Sequence, residues 1–173
     1  MKYRQLLAQS KICLDKNPVY VDAPVNIHIF SSGAKWMADQ LNTTATKPFD
    51  NTINFGLYGT LKYGVCILAF IAAVFLLWHI NIFLLPLAVL VFYFFEVHFL
   101  FLFPLLLDNI QQPLLKSISL SYTVGIIRCM TIVIPISIFM LAGLLNIKSP
   151  FKNWHTGSLA ILIWYKNDIR NRL

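Results

Sequence analysis

The amino-acid sequence predicts an all-α integral membrane protein with about three transmembrane helices, a small mixed N-terminal region and an interfacial C-terminal segment. Composition is the first reason for this prediction. Of the 173 residues, 58% are hydrophobic and only 12% are charged, whereas about a quarter of the residues in an average soluble domain are charged. The positions of the charges and the lengths of the apolar stretches are the second and third reasons.

The charged residues lie mainly near the two ends of the chain. Residues 1–62 carry seven basic and four acidic side chains, and residues 148–173 carry five basic side chains and one acidic side chain. A helix in a soluble core shows a polar face every few residues, and the block between these ends does not. The charged residues of that block are Glu96, Asp108, Lys116 and Arg128.

Three stretches of this block are long enough to cross a bilayer, which takes about 20 apolar residues. We predict spans at about 62–80, 82–103 and 121–147, inside a transmembrane bundle that covers 57–147. Because only Asn81 separates the first two spans, we expect them to form a tight antiparallel hairpin. Prolines occur inside two spans, where neighbouring helices can satisfy the backbone groups that a proline leaves free.

The remaining segments are predicted to lie outside the hydrocarbon layer. Residues 104–119 contain two prolines and two glutamines, which is typical of an interfacial loop. Residues 1–56 form an extramembrane region that is too small to bury a core alone. In the last region, 148–173, an apolar stretch at 158–165 is too short to cross and is followed by a basic tail. This region is expected to lie at the interface, near anionic lipid headgroups; a solvated end with ordinary positive charge is the alternative.

Within the N-terminal region, the pattern changes along the chain. Residues 3–14 have helical periodicity, and residues 19–30 alternate in a way that predicts a β-hairpin or a strand broken by a turn. Ser31 or Ser32 can cap a short helix that continues to Leu41. The sequence therefore predicts a mixed region of helix and strand.

The charged residues inside the central block predict a polar layer. An ionisable residue in a span costs a few kcal/mol, so it needs a reason to be there. Folding the spans as hairpins places Lys62 level with His98, and Glu96 level with Arg128, with Asp108 slightly beyond. Glu96 and His98 are about 200° apart around a helix, so they cannot face one ligand together.

Two interpretations of this layer remain open. The functional interpretation is a site for an ion, a proton or a lipid headgroup. The structural interpretation is a buried ion pair, between Glu96 and either Arg128 or Lys62, that sets the helix register, with His98 extending towards the interface.

Several chemistries lack their sequence signals. The four histidines lie in four different segments, which excludes the repeated close spacing of a membrane di-iron centre, and no metal site or resident cofactor is predicted. The sequence contains no nucleophile elbow, zinc-protease motif or phosphate-binding glycine loop, so no catalytic residue is assigned. The positive charges flank the predicted spans, which favours lipid phosphates over nucleic acid as their partner.

Three functional hypotheses follow. The leading one is an accessory or scaffold subunit of a larger membrane complex in the cell inner (plasma) membrane, in contact with other membrane subunits or a second copy of itself. The second is a membrane enzyme or assembly factor acting on a lipid or isoprenoid substrate at the polar layer. The third is a small oligomeric transporter or channel. The sequence leaves open whether the chain is an enzyme.

Overall fold

A computed structural model describes residues 2–16, 29–41, 52–146 and 151–172, and every regular element within them is helical. The predicted strand at 19–30 lies outside the described residues except at its end, where Ile29 and Phe30 begin a helix. The helices are α1 (Tyr3–Lys16), α2 (Ile29–Leu41), α3 (Phe55–Ile80), α4 (Leu87–His98), α5 (Leu102–Leu107), α6 (Pro113–Val124), α7 (Ile126–Leu144) and α8 (Lys152–Trp164).

Three of the described helical segments are long and apolar enough to cross a membrane: Phe55–Ile80, Ile82–Leu107 and Ile126–Leu144. This confirms the predicted number of apolar segments of spanning length, and their crossing of a membrane stays a prediction. The first begins earlier than predicted, because Asn54 caps α3 by accepting a hydrogen bond from the backbone N–H of Leu57 at 3.0 Å. A side-chain oxygen at this position satisfies one of the free N–H groups of the first turn.

The predicted loop at 104–119 is wrong for most of its length. It is helical in α5 and α6, and the connection between them is only 108–112. The prediction was wrong because it took the prolines of this segment as signs of a loop. Pro113 occupies the first turn of α6, where its missing N–H costs nothing because that group has no partner inside a helix.

The predicted third span, 121–147, is wrong at its beginning. Gly125 interrupts the helix with φ +96°, a conformation that glycine adopts readily and other residues rarely. Its N–H donates to the carbonyls of Ser121 and Tyr122, both at 3.1 Å. The apolar segment therefore starts after this break, as α7, and includes Pro135.

The chain forms two compact units. Residues Thr52–Met130 form the first, here called the bundle unit, in which α3 packs against α4, and α6 contacts both α4 and α5. Residues Met1–Asn51 and Thr131–Leu173 form the second, here called the split unit, in which α1 and α2 both pack against α8. The predicted division into residues 1–56, 57–147 and 148–173 describes where each region lies relative to a membrane, and it stays a prediction.

Small residues set the packing of α3 in the bundle unit. Gly59, Cys66 and Ala73 are buried at intervals of seven residues, in one stripe with Phe55 and Lys62. A repeat of seven keeps one helix face towards its neighbour, and small side chains let two backbones approach closely. The α3–α4 hairpin follows from this stripe and from the short connection at Asn81, as predicted.

Candidate functional site

The first polar contact of the bundle unit joins α3 to α4. The ammonium Nζ of Lys62 lies 3.8 Å from the carboxylate Oε1 of Glu96, and the two side chains are only 7% and 16% exposed. Nζ also lies 5.1 Å from the centre of the Tyr63 ring. Removing one member of such a pair leaves an uncompensated buried charge. The structure thus brings together two residues of the predicted layer.

The second contact involves His98, the last residue of α4. Its Nδ1 lies 2.6 Å from the carbonyl oxygen of Phe94. Because a carbonyl can only accept a hydrogen bond, Nδ1 carries a proton, and in the tautomer that has no second ring proton Nε2 is an acceptor. The hydroxyl of Tyr122, on α6, lies 3.3 Å from Nε2 and is the donor to that tautomer.

Two buried serines of α6 form hydrogen bonds with the last backbone carbonyls of α4. Ser121 Oγ donates to the Val97 carbonyl at 2.7 Å, and Ser117 Oγ donates to the His98 carbonyl at 2.9 Å. The last carbonyls of a helix lack their usual N–H partner within it. Ser117 supplies a donor to the His98 carbonyl, and Ser121 adds a second donor to the Val97 carbonyl, which the backbone N–H of Leu100 also reaches at 3.3 Å. Sequence analysis missed both serines and Tyr122. The available signal was that the two serines are four residues apart and so lie on one face of a helix.

The predicted layer is therefore divided by α4 into two contacts. Glu96 faces Lys62 of α3, while His98 faces Tyr122 of α6. This agrees with the angle of about 200° between positions two apart on a helix. The polar groups at this end of α4 join it to both neighbouring helices rather than converging on one point.

The other members of the layer lie further along the chain. Asp108 follows the end of α5 and is partly exposed, and Arg128 is exposed in the first turn of α7. The pairing of Glu96 with Arg128 and a role for Asp108 in the site stay predictions. Within the described residues, no group of three or more His, Cys, Asp or Glu side chains is placed to hold a metal ion.

A phenylalanine precedes each described histidine by four residues, and its carbonyl accepts from Nδ1 of the ring. The distance is 2.8 Å at His79 and at His155, close to the value at His98. His79 and His98 also contact the ring of that phenylalanine, at 4.4 Å and 4.8 Å between centres. The three rings thus share one arrangement, and His98 differs from His79 in having a tyrosine hydroxyl within hydrogen-bonding distance of its Nε2.

The cysteines differ in accessibility and make useful reporters. Cys66 and Cys129 are buried in the bundle unit, whereas Cys13 is exposed on α1. A buried thiol reacts only when its surroundings open. Comparison of the chain with known protein families, with characterised proteins and with solved structures found no match, so the functional argument rests on these contacts.

Proposed function

We propose that the chain is an integral membrane protein of the cell inner (plasma) membrane that acts as an accessory or scaffold subunit of a larger membrane complex. It crosses the membrane with Phe55–Ile80, Ile82–Leu107 and Ile126–Leu144, whose length and hydropathy suit a bilayer. Other membrane subunits or a second copy of the chain are its partners. Its basic C-terminal end contacts anionic lipid headgroups.

The observation that carries this proposal is the use of the polar layer for internal contacts. Lys62 and Glu96 join α3 to α4, and the serines of α6 close the end of α4. Polar side chains in a membrane bundle often hydrogen-bond across helices in this way. These contacts favour a structural role for that part of the layer.

The surface of α3 supports a role in assembly. Only 11% of the most apolar 18-residue stretch of α3 is buried within the chain. Leu68, Ile71 and Phe75 are 69%, 57% and 64% exposed. An apolar face of this size suits lipid or the helix of another subunit. Three membrane-crossing segments also leave much of each helix uncovered, which a complex would bury.

The test is purification of the full-length tagged chain in nanodiscs, with quantitative mass spectrometry of the proteins that accompany it. We expect partners in fixed stoichiometry, or a defined oligomer of the chain itself. The variant Leu68→Ala/Ile71→Ala should reduce that association while Cys66 and Cys129 stay protected from alkylation. Leu87→Ala/Leu90→Ala, at exposed positions of α4, is the matched control. A monodisperse monomer without stoichiometric partners would contradict the proposal.

The second candidate is a membrane enzyme or assembly factor that acts on a lipid or isoprenoid substrate. The observation that favours it is the His98–Tyr122 pair, in which an acceptor nitrogen and a hydroxyl meet at a partly exposed edge of the unit. His98→Ala would then abolish turnover in a chain that still assembles normally. The scaffold proposal instead expects loss of assembly to follow from breaking the Lys62–Glu96 pair.

A further inference from the structure

We propose that His98 and Tyr122 bind the polar ring of a neutral quinone-type lipid. This inference deepens the second candidate function and rests on it for the placement of α4 in a membrane. It concerns binding only, and its test is independent of the association test described above.

The two side chains offer complementary hydrogen-bonding groups. Nε2 of His98 is an acceptor because Nδ1 holds the ring proton against the carbonyl of Phe94. The hydroxyl of Tyr122 can turn to donate elsewhere. A ring carbonyl would accept from Tyr122, and the hydroxyl of the reduced ring would donate to His98. A quinone-type lipid carries both groups in its two forms.

The existing bond between them is long enough to be exchanged. The Tyr122 oxygen lies 3.3 Å from Nε2, at the long end of the range for such bonds. Tyr122 is 62% exposed, so a ligand can reach its hydroxyl from outside the unit. His98 lies in the apolar segment Ile82–Leu107, which favours a ligand that combines an apolar body with a polar head.

Aromatic rings surround the pair and suit a flat ligand. The centre of the His98 ring lies 4.8 Å from that of Phe94, 6.5 Å from that of Phe95 and 5.4 Å from that of Tyr122. Phe94 is 42% exposed. Offset or edge-to-face contacts between rings at these separations add to the apolar contact. The charged Lys62–Glu96 pair lies on another face of α4, so the site favours a neutral ring over an ion.

The backbone around the site is held in place. The hydrogen bonds from Ser117 and Ser121 to the carbonyls of His98 and Val97 tie the end of α4 to the middle of α6. Both serines are fully buried. A binding site holds its groups more precisely when its residues lie on helices whose positions are fixed by other contacts. Here the two helices that carry His98 and Tyr122 are joined directly beside the pair.

The test is photolabelling of the full-length chain in phosphatidylcholine nanodiscs with a short-chain azido-quinone, in competition with unlabelled decylubiquinone. Peptide mass spectrometry should place the label near the end of α4 and in α6. Tyr122→Phe removes one oxygen from an exposed side chain and should weaken binding about fivefold, the equivalent of one hydrogen bond of about 1 kcal/mol. His98→Phe should weaken it at least as much.

His79→Phe is the matched control, because His79 has the same contacts with its preceding phenylalanine and should label as the wild type does. Protection of Cys66 and Cys129 from alkylation verifies that each variant is folded. Label spread evenly over the apolar surface would overturn the proposal. So would a Tyr122→Phe variant whose labelling reaches half of its maximum at the same probe concentration as that of the wild type. Such a result would leave the association of the chain with partner subunits to be judged by its own test.

Discussion

In the bundle unit, buried polar side chains join α4 to its neighbours in addition to the small-residue packing of α3, whereas in the split unit the helices approach closely at glycines. The contacts at α4 are an ion pair and two serine–carbonyl bonds between partners that are largely buried. In the split unit, the ion pair between Lys152 and Asp15 spans 3.9 Å with side chains 51% and 67% exposed. A pair so open to solvent contributes little to stability.

Close packing takes the place of that pair in the split unit. A Cβ added to Gly143 would collide with the side chain of Asn153, and one added to Gly157 would collide with that of Met140. The Nδ2 of Asn153 also donates to the Phe139 carbonyl at 3.2 Å. The difference teaches that stability should respond to charge and hydrogen bonding in one unit, and to side-chain volume in the other.

The largest effect is expected from Glu96→Leu. It leaves the buried ammonium of Lys62 without its carboxylate, and breaking such a pair costs about 3–5 kcal/mol. The measurement is unfolding in mixed detergent micelles, together with the alkylation rate of Cys66, which lies one turn from Lys62. The double variant Lys62→Leu/Glu96→Leu should recover most of the stability, because two apolar residues leave no buried charge. Equal stability of Glu96→Leu and the wild type would show that the pair does not hold the hairpin.

The next effect is expected from Gly143→Ala in the split unit. Overpacking a close contact costs about 1–3 kcal/mol, and Asn153 meets the new methyl group near its own backbone. Gly157→Ala should cost less, because the flexible chain of Met140 can move away. Thermal unfolding measures both. Gly33→Ala on α2 is the control, since nothing lies within 4 Å of a Cβ built there; a loss at Gly33 as large as that at Gly143 would argue against the packing explanation.

A smaller loss is expected from Ser121→Ala in the bundle unit. The Val97 carbonyl would lose the Ser121 hydroxyl as a donor but keep the backbone N–H of Leu100 at 3.3 Å, so the expected cost is that of one hydrogen bond, about 1 kcal/mol. Faster alkylation of Cys129, with unchanged reactivity of Cys13, would report the local opening. Ser119→Ala, at an exposed position of the same helix, should leave both rates as they are. If the two serine variants behave alike, the cap does not stabilise the unit.

The smallest effect, of opposite sign, is expected from Gly64→Ala. Nothing lies within 4 Å of a Cβ added at Gly64, and alanine is about 0.5–1 kcal/mol better than glycine inside a helix. The purified chain should therefore gain slightly in unfolding midpoint. If the same variant associates more weakly with its partners, the result would indicate that a helix of another subunit approaches α3 at this glycine. A destabilised chain would contradict the open space found there.

The apolar core of the fold was predictable because it depends on composition over long windows. Three spans were expected from their length alone, and three segments of suitable length and hydropathy are present. The breaks were harder, because proline and glycine act through local geometry. Pro113 begins a helix instead of extending a loop, and Gly125 ends α6 with a positive φ, which the letters of the sequence do not distinguish from an ordinary helical glycine.

The candidate site was predictable only in part. Depth along an antiparallel hairpin was enough to bring Lys62 near the end of α4, where it meets Glu96. The partners of His98 were not predicted, because Ser117, Ser121 and Tyr122 lie in a segment expected to be a loop and in the first residues of an expected span. Once α6 forms there, three polar side chains within six residues hydrogen-bond to the end of α4.

By itself, the sequence determined that the middle of the chain is apolar, that its helices are long enough to cross a membrane and that few charges must be accommodated among them. These properties follow from how many apolar residues stand in a row. Tertiary structure alone decided which polar groups meet, because a contact depends on the rotation of each helix about its axis. A rotation of about 100° per residue separates the face that carries Glu96 from the one that carries His98, and so divides one predicted layer into two contacts.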